Sequence, residues 1–232
     1  MNEITEKLLN MVSDWNGGYK GDYNIRVDGG CAGRESSEHV KIENKPDAPG
    51  LVIHVDPGTK GETVSIPACI THGGVDDLVY NDFYIGEGAD ITIVAGCGVH
   101  TEYGEPARHN GIHRFFLAPG SHALYIEKHV GIGSGLGLRT IDPVTEVFLE
   151  KDSVLEIDSA QIGGVDRTLR KTKGTVAGHG PLPLPQDPRH GLGRQGRVSL
   201  LPEAGRSAVR LRLHGGLPAG RRRGERAGPL RV

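Results

Sequence analysis

The chain has 232 residues, with 27 Lys+Arg against 29 Asp+Glu, a formal charge of -2 at pH 7 and 5% aromatics. That length holds a real core in one or two domains, and no run approaches the ~18 consecutive apolar residues of a membrane span. Three cysteines, Cys31, Cys69 and Cys97, are too few and of the wrong parity for a secreted disulfide framework. The opening MNEITEKLLNMVSDW lacks the basic start and apolar run of a signal peptide, so a cytoplasmic protein with free thiols is expected.

In chain order, Ile4, Leu8, Leu9 and Val12 recur at helical spacing behind Asn2, a residue suited to an N-cap, and predict a short amphipathic helix over 3–14. From Tyr23 the period changes to two. YNIRV, HVKIE, LVIHV, TVSIPACIT, FYIGEGADITIVA, RFFLAPGSHALYIE and EVFLEKDSVLEID each alternate apolar and polar residues and are cut by Gly, Pro or Asp.

These strands repeat. At a step of 32 residues Phe83, Phe115 and Val147 align, as do Ile85, Leu117 and Leu149, the turn positions Gly88, Gly120 and Asp152, then Ile91, Ala123 and Leu155, and Ile93, Tyr125 and Ile157. An earlier copy carries Ile53, Val55 and Gly58, with Val64 and Ile66 after a short insertion. One such unit cannot bury its inward face alone, whereas stacked copies form a continuous core. The repeat predicts an all-β parallel β-helix, with a sandwich of irregular hairpins as the weaker alternative.

Within the repeat, AGCGVHTEYGEPARHNGIH places Cys97, His100, His109 and His113 in 19 positions. Thiolate and imidazole are ligands that zinc and iron favour, so these four are the candidate metal ligands. The competing reading is a polar scaffold loop. Residues 97–110 fall between the strands ITIV and IHRFF and are expected to be the long excursion of one coil, where function is commonly carried. Cys31, between glycines in GGCAGR, admits either an exposed thiol ligand or a small side chain tucked into a tight turn. Cys69, in IPACIT, reads as core.

DYNIRVDGGCAGRESSEHVKI, PGTKGETVSIPACIT, DLVYNDFYIGEGADITIVAGCGVH, HNGIHRFFLAPG and YIEKHVGIGSG resemble the SufB/SufD family of iron–sulfur cluster assembly scaffolds, in particular its short stand-alone members, over roughly residues 18–173. The resemblance implies a right-handed parallel β-helix and a scaffold rather than an enzyme. It also implies a transient iron–sulfur cluster, a SufC-like ABC ATPase as partner, and pairing as a homodimer or with another SufB/SufD-like chain. No nucleotide is expected on this chain itself. The glycines of GIGSGLGLR at 131–139 match neither a P-loop nor a dinucleotide fingerprint and read as a turn. The cluster ligands assigned in better-known members lie in later coils, which have no counterpart here. A β-helical carbohydrate-active enzyme is the alternative. No G-x-S-x-G elbow points to a hydrolase.

The composition changes near residue 177. Residues 1–173 carry 16 Lys+Arg against 26 Asp+Glu, and residues 174–232 carry 11 Arg, no Lys and three acids. Ile, Phe, Tyr and Thr end at Ile162, Phe148, Tyr125 and Thr175. The organisation expected is an N-terminal helix over 1–17, a SufB/SufD-like core over 18–177 and an irregular Arg/Gly/Pro-rich tail over 178–232. Such composition is what a reading-frame shift in a GC-rich gene produces, and an inactive truncated product is a further alternative. A nucleic-acid arm would mix Lys and aromatics with its Arg, so neither nucleic acid nor membrane is expected as partner. Without later coils, the last turn is expected to expose an unpaired apolar end.

Overall fold

A computed structural model of the protein describes residues 1–102, 104–134, 136–177, 180–182, 196–200 and 207–215. Helix α1 (Glu3–Ser13) begins at Asn2, whose side chain accepts the Thr5 backbone N–H, and ends at Asp14 in the left-handed region. The strands follow as β1 (Asp22–Val27), β2 (Gly30–Glu35), β3 (Val40–Asn44), β4 (Gly50–Val55), β5 (Lys60–Ser65), β6 (Ala68–Ile70), β7 (Asp76–Ile85), β8 (Asp90–His100) and β9 (Ala107–Leu117). After them come β10 (His122–Ile132), β11 (Arg139–Ile141), β12 (Val144–Leu149), β13 (Val154–Gly163), β14 (Lys171–Val176), β15 (Gly180–Leu182), β16 (Gly196–Leu200) and β17 (Ala208–Gly215).

The strands form a parallel β-solenoid of about four turns. One sheet stacks β4, β7, β9, β12 and β14, and the other stacks β5, β8, β10, β13 and β17. The 32-residue step is the ladder register: Phe83 pairs with Phe115 and Phe115 with Val147, while Ile93 pairs with Tyr125 and Tyr125 with Ile157. All of these point inward and are buried in one core cluster. Between the two strands of each turn the chain reverses through Gly58, Gly88, Gly120 and Asp152, with φ of 75°, 65°, 65° and 58°. That left-handed conformation is open to glycine and, among the rest, best tolerated by Asn and Asp.

Helix α1 lies across the outer face of the second sheet. Its apolar stripe of Leu8, Leu9 and Val12 is fully buried, and it fits because Gly96 and Gly98 present no side chain there. A Cβ on Gly96 would strike Val12, and one on Gly98 would strike Leu8. Cys69 is buried in the same cluster, as expected of a core residue. Among the described residues, no helix is long and apolar enough to cross a membrane.

Both solenoid ends are closed by antiparallel strands. At the first turn β3 pairs with β4 and β2 with β1. At the last, β15 pairs with β14 and β16 with β17. This corrects the expectation of an unpaired last turn. It also narrows the irregular tail, most of which lies outside the described residues. Ala208, Val209 and Leu211 are buried, with Val209 beside Leu155 and Leu211 beside Ile157. Their alternation continues the inward ladder whatever the composition around them.

Candidate functional site

Cys97, His100, His109 and His113 do not lie on an excursion. β8 runs through Cys97 to His100 and β9 starts at Ala107, so only residues 101–106 connect the strands. Strand geometry then separates the four, because successive side chains leave on opposite faces. Cys97 shares the inward parity of Ile91, Ile93 and Ala95, whereas His100 has the parity of Gly96 and Gly98. The His100 Nδ1 lies 2.8 Å from the Thr71 carbonyl and Nε2 3.4 Å from Glu102. His109 and His113 alternate inward with Phe115 and Leu117 and are buried.

A cavity of about 340 Å³ occupies the interior at the first turn. Cys97, His109 and His113 line it from the sheets, and Cys31 lines it from the β1–β2 hairpin; His100 does not. Cys31 is exposed, so its tucked-in alternative does not hold. The charged lining residues are Arg26, Arg34 and Lys45, with no carboxylate among them. Arg34 donates to the side-chain oxygens of Asn24 and Asn44 rather than to any carboxylate among the described residues. Among the described residues, no group of three or more His, Cys, Asp or Glu is placed to hold one metal ion. The predicted residues therefore surround a space instead of meeting at a point.

Behind the cavity, inward positions continue as polar rows that the apolar repeat does not announce. Asp77 accepts two hydrogen bonds from Arg26, at 2.9 and 2.6 Å, and one from His109 Nδ1 at 3.0 Å. Burial pushes the Asp77 carboxyl up, but these donors outweigh it and hold the group well below the usual carboxylate range. With Nδ1 turned to Asp77, Nε2 is the His109 ring nitrogen left to ligate, the arrangement in which a second partner orients an imidazole.

His113 is set from two sides. The Leu51 backbone N–H donates to Asn81 Oδ1 at 3.0 Å, so the Asn81 amide nitrogen faces His113 Nε2, 3.4 Å away. This assigns the proton to Nδ1, which donates to the Tyr125 hydroxyl at 2.7 Å, and that hydroxyl donates to Glu127 Oε1 at 3.2 Å. Burial first, then the charges of His109, Arg170 and His129, push the His113 imidazole down to about 3. Burial also raises the Tyr125 phenol well above its ordinary value.

Glu127 is the hub of the far side. It forms an ion pair with Arg170 and accepts from Ser159 at 3.0 Å. His129, the ladder neighbour of Cys97, approaches Glu127 with Nε2 at 3.3 Å but out of line for a hydrogen bond. Arg26, Asp77, Asn81, Tyr125, Glu127, Ser159 and Arg170 were not among the residues singled out by motif. For Asp77, Asn81, Glu127 and Ser159 the signal was the same 32-residue step carried past the apolar positions, which aligns Asp77 with His109, Asn81 with His113 and Thr145, and Glu127 with Ser159. In the stretch between β10 and β11, two glycines allow close backbone approach: a Cβ on Gly133 would meet the Thr101 carbonyl, and one on Gly137 would meet Glu105.

No family model, curated protein or solved structure matches this chain.

Proposed function

We propose that the protein is a cytoplasmic scaffold on which an iron–sulfur cluster is assembled and passed on, working with a SufC-like ABC ATPase and with a second SufB/SufD-like chain. The observation that carries this reading is the first-turn cavity, where two thiols and two imidazoles face one space whose charged lining is cationic. Guanidinium and ammonium groups favour the thiolate form that binds iron. A cluster is held through several iron atoms, so its ligands need not converge as those of a single ion must. The cluster is cargo, not a resident cofactor. ATP hydrolysis belongs to the partner, and this chain runs no catalytic cycle of its own.

The resemblance of residues 18–173 to SufB/SufD proteins supports the same reading. The carbohydrate-active alternative is disfavoured because glycoside hydrolysis requires a pair of carboxylates across the bond to be cut, and the cavity lining contains none.

Anaerobic reconstitution with ferrous iron and sulfide tests the proposal, with bound iron, bound sulfide and visible charge-transfer absorption measured per chain. Cys97→Ser and Cys31→Ser should each lose several-fold in bound cluster, while His100→Ala, outside the cavity, should match the wild type. Equal loading of the wild type and both serine variants would overturn the assignment. Capture of a SufC-like ATPase by the wild-type chain tests the partner separately.

A further inference from the structure

The polar side chains of the first-turn cavity are one-sided: they offer donors and almost no acceptors. The lining includes no carboxylate and no hydroxyl, and its side-chain oxygens are the three amide oxygens of Asn24, Asn44 and Asn81. All three are already taken. Arg34 donates through Nε to Asn24 Oδ1 at 2.9 Å and through Nη2 to Asn44 Oδ1 at 2.5 Å, and the Leu51 backbone N–H donates to Asn81 Oδ1. Asn24 and Arg34 face each other across the β1–β2 ladder, and Asn44 ends β3, so strands fix this arrangement. With both oxygens turned to the guanidinium, the amide N–H groups of Asn24 and Asn44 meet no acceptor among the described residues. Asn24 is only 4% exposed and lines the cavity, and a buried donor of this kind calls for a partner.

Charge is one-sided in the same place. Arg26 is matched by Asp77, and Lys45 by Asp82 and Asp47. Arg34 has no carboxylate partner among the described residues, and its bonds to the two amides leave other N–H groups of the guanidinium uncommitted. We infer that the Asn24–Arg34–Asn44 wall is a binding site for a small oxyanion, a carboxylate or phosphate group. The anion sits against Arg34 and accepts from the amide N–H groups on either side, bonds that its charge strengthens. Two features select it. The unmatched positive charge opposes a cation. A sugar or alcohol finds donors for its oxygens but no free side-chain oxygen for its own hydrogens, whereas an ionised carboxylate or phosphate needs only donors.

The wall runs from exposed Asn44 through half-buried Arg34 to buried Asn24, and the cavity of about 340 Å³ behind it is within the range of small-molecule sites. Cys31 Sγ points to the same Asn24 Oδ1, 3.4 Å away, so an anion seated on the wall lies beside that thiol and shields it. Cys31 is exposed while Cys69 and Cys97 are buried, which makes its alkylation a local report of occupancy. This inference does not rest on the iron–sulfur reading and is tested without iron or sulfide.

Calorimetric titration of the full chain with inorganic phosphate and with citrate, against sodium chloride at matched ionic strength, tests it. At least one oxyanion should bind in the millimolar range or tighter and slow iodoacetamide alkylation of Cys31 several-fold, and chloride should do neither. The tighter of the two identifies the group as phosphate or carboxylate. Arg34→Gln should weaken binding about tenfold or more. So should Asn44→Asp, which keeps the shape of an exposed side chain and the anchor on Arg34 but supplies that guanidinium with a carboxylate; it keeps the test decisive if Arg34→Gln fails to fold. Lys41→Gln, an exposed residue of β3 outside the cavity lining, should bind as the wild type does. Circular dichroism melts of each variant check that the fold is retained. Phosphate and citrate binding no better than chloride overturns the proposal. So does binding that leaves Cys31 alkylation unchanged, or that survives in the folded Asn44→Asp chain.

Discussion

Burying His113 as a neutral imidazole makes folding sensitive to mild acid. The unfolded side chain titrates near 6.5, whereas burial and the cationic neighbours hold the folded one down at about 3. Between those values the unfolded chain binds a proton that the folded chain refuses, so stability is fully present above the unfolded pKa and falls as pH drops toward the folded one. From about pH 7.5 to pH 5 the loss from this one group comes to about 2 kcal/mol, and because the folded value lies well below 5, the size is set by the unfolded pKa alone. For a chain of this size that corresponds to a fall of roughly 4–8 °C in Tm. Urea unfolding of the wild type and of His113→Gln at both pH values measures it, since groups that titrate in both proteins cancel in the difference. The wild type should lose about 2 kcal/mol more than the variant across the interval. Equal losses would refute a neutral, proton-refusing His113.

Phe115 is fully buried, stacked on Phe83 at 4.5 Å and edge-on to Tyr125 at 5.0 Å; Phe115→Ala should cost about 3–5 kcal/mol by equilibrium unfolding, and a cost under about 1 kcal/mol would contradict the ladder packing. Gly96→Ala should push α1 off the sheet and cost about 1–3 kcal/mol, read as loss of amide protection over residues 5–13. Wild-type protection there would show that the helix is not seated on Gly96.

The ladder was legible in the chain because a solenoid writes its register into the sequence: each turn repeats the same inward positions, so Phe83, Phe115 and Val147 recur at one step and stack. α1 was legible for the same kind of reason, a stripe at helical spacing behind a capping Asn2. β17 was not, since its residues lie 54 positions beyond their partners on β13, Leu155 facing Val209, and no 32-residue comparison reaches them. Proximity in sequence also misled at the site. It grouped His100 with Cys97, three residues apart, although strand alternation sends them to opposite faces, and it kept Cys31 apart from the group as a separate candidate thiol, although the β1–β2 hairpin delivers it to the same cavity. The pairing of half-buried Arg26 with buried Asp77, 51 residues apart, and the tautomer of His113 are likewise products of the closed first turn. Short-range periodicity determined which strands stack and which side chains face inward. Which of those inward groups meet, and which titrate abnormally, was decided only when distant segments closed around them and excluded water.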